Sequence, residues 1–244
     1  MASATRATPC PECGVENALD HNYCKHCGRA LRPVLVEPAV AGNLAEQTRD
    51  RCLQLIAAYP DNPNAHFNLG LAYYHLGEVG NALRAFRRTT ELDECYPAAW
   101  FQLALCHYRR GDMPACVQTA RRAIANNPAS APAHFRLAIG LFHLGKLEEA
   151  AKSFQDTLFA DPEYVIAWYH LGVIRERQHD VEGAVACFEK VVDTNPHDAS
   201  AHYHLGRMYA EQGLESCAMT AFAKALEIDP SDTAARDALQ ELQR

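Results

Sequence analysis

The chain lacks any long apolar run. Nowhere in its 244 residues is there a stretch near the roughly 20 apolar residues that a membrane-spanning helix needs. It also lacks an excess of basic charge. Lys and Arg number 23 against 30 Asp and Glu, a formal net charge of −7, which disfavours generic binding to nucleic acid or anionic membranes. Residues 1–9 carry Arg6 and no apolar core segment, so no secretory signal is expected from them. A phosphate-cradling glycine loop and a nucleophile elbow are also missing. With 48% hydrophobic and 22% charged residues, the composition is that of a soluble protein.

What is present is a period. Segments beginning at Pro63, Pro97, Ala131, Val165 and Ala199 start 34 residues apart, and their columns agree. One column reads Leu69, Leu103, Leu137, Leu171, Leu205, and the next holds only small residues, Gly70, Ala104, Ala138, Gly172, Gly206. Further along stand Ala82, Cys116, Ala150, Ala184, Ala218, then Phe86, Ala120, Phe154, Phe188, Phe222. Glycine recurs mid-unit at Gly77, Gly111, Gly145 and Gly213, and proline closes units at Pro128, Pro162, Pro196 and Pro230. A fixed period of this length signals stacked supersecondary units. Each unit reads as two helices, Ala65–Leu76 and Asn81–Leu92 in the first, with Gly77 supplying the left-handed residue that ends a helix. The small columns let two backbones approach, and the leucine and phenylalanine columns fill the space beside them.

At these residues the chain resembles the tetratricopeptide repeat (TPR) family over residues 63–232, without insertion or deletion. Three positions depart from the pattern: Glu94 replaces a proline, His179 the mid-unit glycine, and Ala120 the large aromatic. The resemblance implies an all-α, right-handed helical solenoid of five repeats and, since no residues are left for a catalytic domain, a protein that is not an enzyme. Histidines 66, 134 and 202 share a column with Trp100 and Trp168. Two repeats apart, they are too distant to meet at one metal, and they read as helix-packing residues.

The ends of the array are read separately. Pro33–Gly42 contains two prolines and reads as an apolar extended linker, so that 33–43 joins the N-terminal segment to the repeats. Asn43 and Glu46 form a capping-box-like start to a leading helix, within 44–62, whose Cys52, Leu55 and Pro60 fall in register with a second helix. That helix is half a repeat. At the other end Asp232 is placed to cap a final helix over 233–244, with Ala235, Ala238, Leu239 and Leu242 on one face.

Ten cysteines are present, and four cluster. Cys10-Pro-Glu-Cys13-Gly is followed by Cys24-Lys-His-Cys27-Gly, two Cys-x-x-Cys turns that together supply four thiolates. A tetrahedral sulfur set suits one structural Zn2+, at about 2.3 Å per ligand. These residues resemble the short zinc-ribbon modules over 8–32, with Tyr23 and Leu31 in their apolar roles. The resemblance implies a closed, structural site. A redox pair would be expected beside a βαβ pattern, which is absent, and iron in a rubredoxin-like site is the other alternative. Residues 1–32 carry a single net positive charge and lack the basic, aromatic face that nucleic acid needs. The other six cysteines read as reduced and mostly packed, which favours a reducing, cytoplasmic compartment.

In TPR arrays the first helix of each unit lines a concave groove. By resemblance the groove columns are Phe67, Phe101, Phe135, Tyr169, Tyr203, then Leu71, Leu105, Ile139, Val173, Arg207, then Tyr74, Tyr108, Phe142. Aliphatic residues in the middle column argue against a clamp for a terminal carboxylate. His75, Arg109, His143 and Arg177 form a mildly basic row beside them. The expected function is a scaffold or adaptor whose groove holds a partner peptide or amphipathic helix with apolar anchors and acidic flanks, the zinc ribbon being a second contact. The alternatives are a nucleic-acid-associated factor that touches DNA or RNA through the ribbon, and an assembly or chaperone subunit of an enzyme complex.

Overall fold

The structure is a computed structural model; it describes residues 8–9, 16–17 and 38–243, with side chains from residue 44 onward. Two short strands, β1 (Thr8–Pro9) and β2 (Glu16–Asn17), pair antiparallel, with Thr8 opposite Asn17 and Pro9 opposite Glu16. Everything else with regular structure among the described residues is helix. α1 spans Pro38–Ala58, and the five repeats supply α2 (Pro63–His75), α3 (Val79–Leu92), α4 (Pro97–Arg109), α5 (Met113–Asn126), α6 (Ala131–His143), α7 (Leu147–Ala160), α8 (Val165–Arg177), α9 (Val181–Thr194), α10 (Ala199–Glu211) and α11 (Glu215–Ile228). α12 (Thr233–Leu242) follows.

The helices fall into two compact units, residues 1–146 and 147–244, so that the third repeat contributes α6 to one and α7 to the other. In the first unit Cys52 of α1 packs with Leu69 and Ala85, as the second helix of a repeat would. Behind them Phe67, Leu83, Phe86 and Leu103 form the larger core. In the second unit Phe188, Leu205 and Met208 centre one cluster. Phe222 centres another, beside α12, where Ala235 is buried and Ala238, Leu239 and Leu242 are partly covered. Asp232 caps α12 by accepting from the Ala235 backbone N–H at 3.0 Å.

One expectation about local structure changes, and one departure from the pattern leaves the local fold as it was. The linker over 33–43 is shorter than expected, because α1 already begins at Pro38 and takes in Asn43, which therefore is not an N-cap. Proline at the first helical position forfeits only an N–H that has no intrahelical partner there. His179 stands where other units have glycine, yet it keeps the same turn at φ 59°, beside 79° at Gly77 and 73° at Gly213. The imidazole residue thus bears the left-handed conformation instead of the turn changing shape.

The His/Trp column has a single job that its composition hides. His66, His134 and His202 each place Nε2 2.8–3.0 Å from the carbonyl six residues earlier, Pro60, Pro128 and Pro196. Trp100 and Trp168 donate Nε1–H to Glu94 and Pro162 in the same way, at 2.9 and 3.0 Å. Arg236 does so to Pro230. Each ring or guanidinium N–H thus ties the turn between repeats to the next first helix. The expected result is that His134→Trp is nearly neutral, whereas His134→Phe, which fills the space without a donor, lowers stability by about 1 kcal/mol in urea unfolding.

Candidate functional site

The first helices carry the side chains that packing leaves uncovered. In the first unit these are the half-buried Tyr74, Phe101, Leu105, Tyr108, Phe135 and Phe142 of α2, α4 and α6. Three expected groove residues do not belong with them. Phe67 is 1% exposed, wedged between Phe86 and Tyr96 with ring centroids 5.6 and 5.0 Å away. Tyr96, the residue before the next repeat, folds over it and takes it into the core. Leu71 and Ile139, at 4% and 5%, are also interior.

The basic row is narrower than its sequence suggests. Arg109 lies over the Tyr74 ring at 4.2 Å and Arg136 over Tyr108 at 4.7 Å. His143 sits 5.8 Å from the Tyr108 ring. The His75 imidazole is held below its ordinary pKa, first by burial of the ring and then by the charge of Arg109, so it adds little positive charge at pH 7. Arg136 was not among the expected residues; it stands three positions before Ile139, outside the three groove columns.

In the second unit Tyr169 and Val173 are half-buried and Arg177 is exposed on α8. Beside them lies a polar cluster in which Tyr169 and Arg207 belong to the expected groove columns and Glu176 and His204 do not. Glu176, its side chain 10% exposed, accepts from His204 Nδ1–H at 2.7 Å and from the Arg207 guanidinium. His204 stacks on Phe188 with centroids 4.9 Å apart, and its Nε2 lies 3.3 Å from the Tyr169 hydroxyl. The visible signal was a carboxylate, Glu176, in the column that elsewhere holds Tyr74, Tyr108 and Phe142.

Burial alone would raise the Glu176 pKa, but the hydrogen bond and charge of His204, with Arg207 and Arg177, hold it below its usual value. A depressed carboxylate stabilises the fold above its unfolded pKa, and that contribution fades as pH falls through the folded one. Glu176→Gln should therefore cost about 1.5–3 kcal/mol at pH 7. Thermal melts of parent and variant should draw together as pH falls below the ordinary carboxylate range.

Each unit also carries a cleft against a first helix, among α3, α4 and α5 in one unit and between α10 and α11 in the other. One, about 920 Å³, is lined by Trp100, Leu103, His107 and Gln118; the other, about 770 Å³, by the equivalent His202, Leu205, Tyr209 and Thr220. Cys106, Cys116 and Cys187 are fully buried, and burial pushes their thiols up to about 12, 11 and 11. They pack as neutral thiols. Cys52 is also buried, whereas Cys95 and Cys217 are exposed. Among the described residues no helix is long and apolar enough to cross a membrane.

The expected zinc ligands Cys10, Cys13, Cys24 and Cys27 lie outside the described residues.

No curated protein sequence matches the chain. The solved structure of YrrB, described as a TPR protein with an unusual peptide-binding site, is 18% identical. It overlays 78% of this chain and 97% of its own with a TM-score of 0.71. MamA from Desulfovibrio magneticus, 20% identical, covers 79% of this chain and 97% of its own at 0.60. PilF of Pseudomonas aeruginosa, 17% identical, covers 80% and 90% at 0.62. These likenesses show the fold. Two tetratricopeptide repeat profiles match the sequence, one at residues 49–97, 135–190 and 175–233 and the other at 97–140. Repeat columns, paired helices and profile agree over more than half of the chain, which therefore belongs to the tetratricopeptide repeat family.

Proposed function

We propose that the protein is a non-enzymatic adaptor whose first helices hold an apolar-anchored segment of a partner protein, as a peptide or amphipathic helix with acidic flanks. The observation that carries this is the set of half-buried side chains on α4, Phe101, Leu105 and Tyr108. The repeat core is complete without them, and large apolar side chains of this kind anchor interfaces. The fold likeness to YrrB, described as having a peptide-binding site, supports the same reading. The test is the affinity of partner segments for Leu105→Asp, which should lose binding with helical circular dichroism intact.

The N-terminal segment is proposed to be a zinc ribbon, with Cys10, Cys13, Cys24 and Cys27 holding one Zn2+ as a structural cross-link. In a segment this short the metal replaces a core, contributing on the order of 10–16 kcal/mol. Its role is to fold a second contact surface. Protein purified without chelator from a zinc-replete source should carry one zinc per chain. Cys24→Ser should lose it, with helical circular dichroism unchanged because the repeats do not depend on the ribbon. Parent protein without zinc would overturn the assignment. The four buried thiols suit a reducing compartment, and the cytoplasm is the proposed location.

A further inference from the structure

We propose that the acidic flank of the bound segment is received by two arginines of the first unit, Arg109 and Arg136, each held over a tyrosine ring of the preceding repeat. This rests on the reading of the first helices as the partner-binding surface and names the chemistry of one part of it.

The tyrosine rings beneath two arginines carry the inference. Arg88 is engaged by Asp61 and Glu91, Arg175 by Asp180 and the Gly183 carbonyl, and Arg207 by Glu176. Arg109 and Arg136 meet no carboxylate among the described residues, and each lies over a tyrosine ring, at 4.2 and 4.7 Å. The Nε–H of Arg136 is buried and has no acceptor. The charge of Arg109 acts on His75 and Cys106 with no carboxylate opposing it at either.

A cation–π contact of this kind holds a guanidinium near a ring without using its N–H groups in an ion pair, and a free guanidinium suits a carboxylate. The cation is thus positioned but not neutralised. Arg109 stands on the same helix as the half-buried Phe101 and Leu105, and Arg136 reaches that helix at Tyr108, so a segment anchored on α4 meets positive charge near its anchors. The ligand chemistry that fits is a peptide with Glu or Asp flanking large apolar residues. A lysine-flanked peptide meets repulsion at the same place.

The full chain is tested against three immobilised synthetic peptides that share Phe and Leu anchors at helical spacing and differ only in their flanks, Glu, Gln or Lys. The expected order of affinity is Glu, then Gln, then Lys, with the Glu advantage larger at low salt. Arg109→Gln and Arg136→Gln should each reduce the Glu advantage about tenfold while leaving Gln-flanked binding within about twofold. Arg109→Lys or Arg136→Lys, which keeps the charge but not the guanidinium, should restore part of it. Arg88→Gln, already paired away from this face, should change nothing. Equal binding of Glu- and Gln-flanked peptides would overturn the inference and leave the groove reading standing. Binding of none of the three would overturn both. Unchanged circular dichroism separates these outcomes from unfolding.

Discussion

Phe188→Ala is expected to destabilise the second unit by about 3–5 kcal/mol, and Gly172→Ala by about 1–3 kcal/mol, yet the two together should cost less than their sum. Phe188 is 0% exposed and fills the space between α8, α9 and α10, with His204 stacked on one side and Tyr169 edge-on at 5.9 Å. Gly172 is what admits the ring: a β-carbon there would stand 2.8 Å from it, closer than carbon atoms approach without displacement. The same pairing recurs at Gly70 with Phe86 and at Gly206 with Phe222, each at 2.6 Å. The second repeat has dispensed with both partners and carries Ala104 and Ala120, each fully buried. In the Phe188→Ala background, adding Gly172→Ala should recover stability, because the clash is gone and alanine favours helix by up to about 1 kcal/mol. A double-mutant cycle in urea reads this as a coupling of about 1–3 kcal/mol, and strict additivity would refute the pairing.

Leu105→Asp should weaken binding of an apolar-anchored partner segment by at least about 100-fold, a loss of roughly 3 kcal/mol. Leu105 is half-buried on α4 between Phe101 and Tyr108, so it is available to a ligand and its replacement stays in contact with water. The equivalent change one repeat on has a different meaning. Ile139 is 5% exposed, and Ile139→Asp would bury a carboxylate with no partner at hand. That variant should lose helical signal before it reports on binding. The two substitutions look interchangeable in a sequence column, and only burial separates them. Isothermal titration with parent and Leu105→Asp, alongside melting curves for all three proteins, checks both statements.

The repeating columns made the helices, their order and their pairing legible, because a constraint applied five times leaves a periodic mark. Gly77 and its equivalents located the turns for the same reason, and the His179 turn was recoverable from register alone. What stayed hidden depends on offsets that no column expresses. The hydrogen bond from His134 to Pro128 joins residues six apart across a turn. The Glu176–His204 contact joins residues 28 apart, so it pairs different positions of adjacent repeats. The burial of Phe67 comes from Tyr96, a residue outside the helical pattern that closes over it. Pro38 misled because proline excludes helix interiors but suits a helix start, and composition does not distinguish the two.

The central claim, that partners are held on the first helices, is met most directly by site-specific photocrosslinking in cells from position 105 and from position 118. Leu105 lies on the face proposed to bind, whereas Gln118 lines the cleft formed with the second helices. The account predicts that a probe at 105 captures a partner whose crosslinked peptide contains large apolar residues beside Glu or Asp. It predicts that a probe at 118 does not capture that partner. Capture of the same partner from 118 and not from 105 would contradict it and move the binding surface to the opposite side of the helices.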